Sequence, residues 1–352
     1  MASTTIHDFP IELLQAVFVF ACADGGATGH ALSLVSRAFH AAVQPFRYYT
    51  LHLAGPAQIT AFAAQHAADG PAYPKVRHLF LGARPPSAHT QHGDLEACSS
   101  NPRGDRARVA RTIRALLARL GPDLRTLVVL SPVPHAELFA ACPEFTELRD
   151  LTVARCDDDE SGDGDGDGDE GAEAAPALRA RLFPRLARLH LATCGRELPL
   201  ARGAGAPEHL LSCWTALAPD VRELRLSDVP DRTAAVGLRA VLAKTPGESE
   251  GTAFPHMTRL WLQPFALSEV EFFREKVTTR RWELISALIE LGKGCRKETS
   301  VLLLHPEIVL GTSCRDLDAE LYPAWRAGVV GHEGYWKGGV QVRDMLTFAR
   351  RR

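Results

Sequence analysis

The sequence predicts a mixed α/β chain: a short N-terminal block of helices, then a solenoid in which parallel strands alternate with helices. Three observations carry this expectation. Apolar residues over the first 45 positions recur with a helical period of about 3.6. From Tyr49 onward, short apolar segments with strand-like alternation return at intervals of a few dozen residues. Amphipathic stretches of helical length separate them, and strand then helix, repeated, implies crossovers and a parallel sheet.

The N-terminal block runs from Ile6 to Tyr49. Asp8 is placed to cap a helix, with Pro10 just inside its start. Ile11, Leu14, Val17, Phe18 and Ala21 then share one face. Ala23 to Gly29 is glycine-rich and breaks the helix. A second helix carries Leu32, Val35, Ala38, Phe39 and Ala42 on one face, and Pro45 ends it. So few short helices bury little surface by themselves, so the block has to pack on its own chain or on a partner.

The strand segments follow one pattern. Leu148, Leu151, Val153 and Cys156 fit L-x-x-L-x-L-x-x-[N/C], and so do Leu186, Leu189, Leu191 and Cys194. Weaker copies are Val76/Leu79/Leu81, Leu124/Leu127/Val129, Val221/Leu224/Leu226 and Met257/Leu260/Leu262. Tyr49/Leu51/Leu53 opens the series and Val301 to Leu304 closes it. Helices are expected over Arg106–Leu120, Pro207–Leu217, Asp231–Leu242 and Ser268–Leu291. In the first, Val109, Ile113, Leu116, Leu117 and Leu120 form one stripe before Gly121-Pro122 stops it. The strand pattern resembles that of leucine-rich repeats. The key leucines at 79, 127, 151, 189, 224, 260 and 302 are 48, 24, 38, 35, 36 and 42 residues apart. Most gaps exceed the ~20–29 residues of a regular repeat, so the solenoid is expected to be irregular. Each strand should bury one face, leaving the inner, concave strand face or its loops for a partner. The division is therefore 5–48 for the helical module, 49–310 for the repeat domain, and 311–352 for a C-terminal cap or tail.

In the N-terminal block, Phe9-Pro10-Ile11-Glu12-Leu13-Leu14, then Val17-Phe18, then Leu32, Val35-Ser36-Arg37 and Phe39 resemble the F-box motif. Phe9 stands where the family usually has Leu. Glycines and Ala27-Thr28 stand where it often has an acidic residue and leucine. The resemblance covers about the first 45 residues. It implies a module that binds the Skp adaptor of a cullin–RING (SCF-type) ubiquitin ligase. Carried over by position, the candidate docking residues are Pro10, Ile11, Leu14, Val17, Phe18, Leu32, Val35 and Phe39; some would face the adaptor and others the chain's own interior. An F-box followed by leucine-rich repeats implies a non-catalytic substrate adaptor whose repeats hold a client protein. The alternative is a leucine-rich-repeat interaction scaffold unrelated to ubiquitination.

Composition sets the remaining bounds. The 352 residues carry 40 bases and 42 acids, a net charge of −2. That near-balance conceals a segregation. Asp157 to Glu173 holds ten acids and no base, so the remainder carries +8. The longest apolar run, Leu13 to Ala23, is short of the ~20 residues a bilayer span needs, and no basic region precedes it as in a secretory signal. Eight cysteines without a CxxC pair read as free thiols in a reducing compartment, hence cytosol or nucleus.

Other signals have bland readings. Asp159-x-Ser161-x-Asp163-Gly164-x5-Glu170 has the spacing of a calcium loop, but Gly166 stands at its apolar position and a DG repeat produces such matches by chance. The stretch 157–175 reads as a solvated acidic loop. Arg103, Arg106, Arg108, Arg111, Arg114 and Arg119 crowd one helix, and Arg179, Arg181, Arg185 and Arg188 precede a strand. No aromatic is interleaved with them, which argues against nucleic acid. They read as solvated faces, with pairing to the acidic loop as a further reading. No phosphate-binding loop, nucleophile elbow or zinc-protease motif occurs, and Cys156 and Cys194 occupy the repeat's own ladder position. No catalytic residue, metal or cofactor is expected. Deleting Asp157–Glu173 is expected to leave the fold and the thermal midpoint unchanged while turning the remaining chain basic. A collapse of the far-ultraviolet circular dichroism on deletion is the outcome that excludes the loop assignment.

Overall fold

The computed structural model describes residues 9–66, 75–82, 102–131, 133, 138–140, 142–155, 180–193, 207–229, 232–242, 254–264, 275–295, 298–304, 317–334 and 336–342. The acidic run, the arginine at 179, Asp8, Cys156, Cys194, Tyr335 and the expected loop at 245–252 lie outside them.

Three helices come first: α1 (Ile11–Ala21), α2 (Ala27–Ser33) and α3 (Arg37–Val43). Strands then alternate with longer helices. In chain order these are β1 (Thr50–Leu53), α4 (Pro56–Gln65), β2 (His78–Gly82), α5 (Pro102–Leu120), β3 (Thr126–Ser131), β4 (Asp150–Arg155) and β5 (Arg188–Thr193). They continue with α6 (Pro207–Leu217), β6 (Glu223–Val229), α7 (Arg232–Leu242), β7 (Arg259–Pro264), α8 (Glu275–Gly294), β8 (Ser300–Leu303), α9 (Leu317–Val329) and β9 (Val340–Gln341). All nine strands form one sheet in sequential order. The first eight are parallel, and β9 closes the edge antiparallel to β8.

The repeat leucines set the register. Leu51, Leu79, Leu127, Leu151, Leu189, Leu224, Leu260 and Val301 stand opposite one another in successive strands. Two residues on, Leu53, Leu81, Val129, Val153, Leu191, Leu226, Leu262 and Leu303 make a second row. Both rows are buried against the apolar stripes of α4–α8, including Ile59, Ile113, Leu117, Leu238 and Leu288. The last key position is therefore Val301, not Leu302. With a side-chain period of two, that one-residue slip puts Leu302 on the opposite face. Between β3 and β5, Phe139, Phe145 and Phe183 pack edge-on or tilted with centroids 5.1–6.0 Å apart, and Trp214 stacks on Phe183. The ring of Phe145 lies where a side chain on Gly121 would stand.

Charge complements the apolar rows at the strand starts. Asp150, Arg188, Glu223 and Arg259 are successive register partners. Arg188 pairs bidentately with Asp150, and Arg259 reaches Glu223 at 3.2 Å. The sign alternates across the sheet, so a slipped strand would set like charges together.

The expectation of an open strand face is corrected. β2 is buried at all five positions and β3 at five of six, so both faces are covered. The cover is the C-terminal segment. α9 lies over β2 and β3 and buries Leu321 and Trp325 against Phe80, Val128, Leu130, Ala154 and Ala192. Farther along, Trp336 sits on Trp261 at 5.3 Å, with the Arg188 guanidinium 5.8 Å from its ring. Over β5–β7 the same face carries a buried polar cluster. Arg225 donates to Gln263 at 2.7 Å and to Ser227 at 3.2 Å, Ser227 donates to Gln263, and His190 shares a 2.9 Å bond with Ser227. The segment expected to be a terminal cap or tail thus also folds back across the sheet.

At α9 the Trp325 ring nitrogen donates to Thr126 Oγ1 at 3.2 Å, and that hydroxyl lies 3.0 Å from His78 Nδ1. Burial, followed by the charges of Arg125 and Arg77, lowers the His78 pKa to about 4. In the unfolded chain this histidine titrates near ~6.5. Its contribution to stability is complete above pH 6.5, declines as pH falls towards 4, and is absent below. Urea denaturation at pH 7 and pH 4 should show the parent losing on the order of 3 kcal/mol more than His78→Gln over that interval.

Candidate protein-docking surface

Helix α1 reads IELLQAVFVFA, with nine apolar residues among eleven. A helix that is apolar on all sides ordinarily has cover on all sides. Here it has cover on one. Phe18 and Cys22 turn inward to Phe39, Ala42 and Val43, with Leu14, Leu32 and Phe46 half-buried at the margin. The Phe18 and Phe39 rings meet at 5.7 Å. The opposite face holds Leu13, Val17 and Phe20, and Phe9, Ile11, Leu34 and Val35 are exposed as well. Phe20 is 76% exposed, Leu34 72% and Val35 64%, against 3% for Phe18.

Local chemistry explains how this block takes shape. Helix α1 starts at Ile11, with Pro10 in its cap position and the Pro10 carbonyl accepting from the Leu13 and Leu14 amides. The segment expected to be a simple breaker is a helix start. Gly25 and Gly26 take left-handed backbone at φ 81° and 109°. The Asp24 carboxylate then accepts from the Thr28 amide at 2.9 Å and its hydroxyl at 2.6 Å, so α2 begins at Ala27. The single second helix expected from Leu32 to Ala42 is two helices. Ser36 takes an extended backbone and its hydroxyl accepts from the Phe39 amide at 3.2 Å, capping α3. That break sends Leu34 and Val35 outward instead of placing Val35 beside Phe39.

The eight candidate residues therefore separate. Pro10, Ile11, Val17 and Val35 are exposed, Leu14 and Leu32 are half-buried, and Phe18 and Phe39 belong to the interior. Phe9, Leu13, Phe20 and Leu34 complete the exposed face without having been singled out for it. The sequence does carry a signal for two of them. Leu13, Val17 and Phe20 are spaced i, i+4, i+7, a second stripe beside the one that carries Phe18.

The block is anchored to the rest of the chain at the α1–α2 turn. The His52 amide of β1 donates to the Gly25 carbonyl at 3.2 Å, and the Tyr322 hydroxyl of α9 donates to the Asp24 carbonyl at 3.1 Å. Tyr322 stacks on His52 at 4.1 Å, and Phe80 meets both edge-on. A side chain on Gly25 would lie 2.9 Å from both His52 Cβ and the Tyr322 hydroxyl.

Nucleophilic chemistry finds no support at the buried thiols. Burial pushes Cys22, Cys142 and Cys295 up to about 11, so they are protonated at neutral pH. Among the described residues no group of three His, Cys, Asp or Glu is placed to hold a metal ion, and no helix is long and apolar enough to cross a membrane. No protein-family model matches the chain, and no curated protein matches its sequence.

Gly25→Ala combines unfavourable backbone with two contacts that must give way. It is expected to destabilise the protein by about 1–3 kcal/mol in urea titration. Tyr322→Phe, which removes the hydroxyl that bonds Asp24, is expected to cost about 0.5–1.5 kcal/mol.

Proposed function

We propose that this protein is a substrate-recognition adaptor of an SCF-type (cullin–RING) ubiquitin ligase. In this reading α1–α3 are an F-box-like module that docks on the Skp adaptor. The sheet with its helices is an irregular leucine-rich-repeat-like solenoid that holds a client protein. The chain catalyses nothing itself. It raises the client's effective concentration at a ligase whose chemistry resides in other subunits.

One observation carries the reading: the exposed apolar face of α1 and of the α2–α3 junction. Seven large hydrophobic side chains, Phe9, Ile11, Leu13, Val17, Phe20, Leu34 and Val35, stand in solvent within 27 positions. Isolated exposed hydrophobics are ordinary, but seven in so short a stretch mark this block as the candidate interaction surface. It coincides with the stretch that resembles an F-box, and helices with unpaired apolar faces suit helix-on-helix docking. The buried half of the motif, Phe18 and Phe39, supplies the internal core that holds this face in shape.

The covered strand face alters where a client would sit. The proposal places it on the helix side or on the connecting loops, since the strand face is occupied by the chain's own C-terminal segment.

Isothermal titration with purified Skp adaptor tests the docking. Val17→Asp and Val35→Asp change exposed residues, so the thermal midpoint should hold while affinity falls at least tenfold. Val236→Asp, at an exposed apolar position on α7, should leave binding as it was. Binding that survives Val17→Asp and Val35→Asp in folded protein rejects the adaptor reading in favour of a scaffold unrelated to ubiquitination.

A further inference from the structure

On the helix side of the sheet, a groove of about 500 Å³ runs between α4 and α5. Its two walls differ in chemistry. Helix α4 reads PAQITAFAAQ and carries no charge. Helix α5 reads PRGDRARVARTIRALLARL, with six arginines and one aspartate. Val109, Ile113, Leu116, Leu117 and Leu120 of α5 are spent on the core. The turn of the helix therefore places Arg108, Arg111 and Arg119 along the groove, whose lining also includes the small side chains of Ala63, Ala64 and Ala115. Arg119 also donates to the His66 carbonyl at 3.2 Å, which ties one end of the row to the end of α4. No acid is among the described residues that line the groove.

We propose that this groove takes an acidic peptide segment of a bound partner. The three arginines span eleven positions of helix, about 16 Å, which is the reach of about five residues of extended chain. Guanidinium groups pair bidentately with carboxylates, and such charge-assisted bonds are stronger than neutral ones. The small alanine side chains admit a peptide backbone closely between the two helices. Nucleic acid fits less well, because no aromatic side chain lines the groove to stack a base. The site lies across the sheet from α9 and shares no residue with the exposed face of α1–α3, so it stands or falls independently of ligase docking.

The test is fluorescence anisotropy with full-length protein and a fluorescein-labelled peptide, DDDESGDGDGDGDEGAE, at about 50 mM salt. Micromolar binding is expected, weakened at least tenfold by the double change Arg108→Glu/Arg111→Glu. The double change Arg232→Glu/Arg239→Glu alters net charge equally, on exposed positions of α7, and should weaken binding less than threefold. The same titration on a chain whose own acids between Asp157 and Glu173 are all Asn or Gln identifies an internal occupant. Binding that appears only there supports an acidic-peptide groove filled in the parent by its own run. Equal losses in the two double variants overturn the proposal, since net charge alone would explain them. It is equally overturned by no binding to either chain, or by a single-stranded dT 12-mer binding as tightly through the same arginines.

Discussion

In this parallel sheet neither face is left to water: β2 is buried at every position and β3 at five of six, as parallel sheets ordinarily are on both sides. That constraint organises the whole chain. Rows such as Leu51–Leu79–Leu127–Leu151–Leu189–Leu224–Leu260–Val301 give α4–α8 something to cover. The opposite row, which includes Phe80, Val128 and Trp261, requires a second cover, which among the described residues comes from α9 and Trp336 and from no helix between the strands. The chain meets this requirement after β8, by sending α9 and Trp336 back across the strands. A strand added to the growing sheet extends both faces, so each repeat increases the demand on a single C-terminal segment. Thr126 lies beneath this second cover, accepting from Trp325 beside a histidine that burial keeps neutral.

The N-terminal block is subject to the same accounting of apolar surface and resolves it differently. It meets the rest of the chain through specific contacts: the His52 amide on the Gly25 carbonyl, the Tyr322 hydroxyl on the Asp24 carbonyl, and Tyr48 edge-on to Phe62. Because Tyr322 of α9 both bonds Asp24 and stacks on His52, the segment that closes the strand face also holds the α1–α2 turn against β1. The core inside the block, built on Phe18, Phe39 and Val43, is too small to use all the apolar residues present. The surplus faces outward as a set, on the side away from the interior.

What could be read in advance divides along sequence distance. The strands were legible because their alternation is local. Eight were placed within a residue or two, with Leu302 for Val301 as the one slip in register. The helix stripes of α5 and α6 were legible for the same reason, while the expected start of α8 at Ser268 lies outside the described residues. Apolar residues at helical spacing drew Leu32 to Ala42 as one helix, whereas the deciding feature was a single hydroxyl at Ser36 capping a new start. The glycines after Ala23 were read as a stop, although paired with Asp24 they begin α2. The cover of the strand face was not legible at all. Trp325 and Phe80 are 245 positions apart, and nothing in the local pattern of either announces the other. The exposed apolar side of the block was half legible: Val17 and Val35 were named, but Phe18 and Phe39, equally apolar and equally spaced, proved to be its interior. Periodicity identifies which residues share a face, and only packing decides which face is inside.

Charge follows a similar logic. The +8 outside the acidic run is not spread evenly over the surface. Along the strand starts it is neutralised locally, where Asp150 meets Arg188 and Glu223 meets Arg259. On α5 six arginines follow one another with a single aspartate in the same helix. A sheet of parallel strands forces each connecting helix to run back against the strand direction, so the first turns of α5 lie at the end of the sheet where β4 finishes with Arg155. Arg108 and Arg111 of that helix are exposed, so guanidinium charge stands on the outer side of the helical layer. Within about 10 Å of screening length in ordinary salt, that charge acts on any anionic segment that approaches α5.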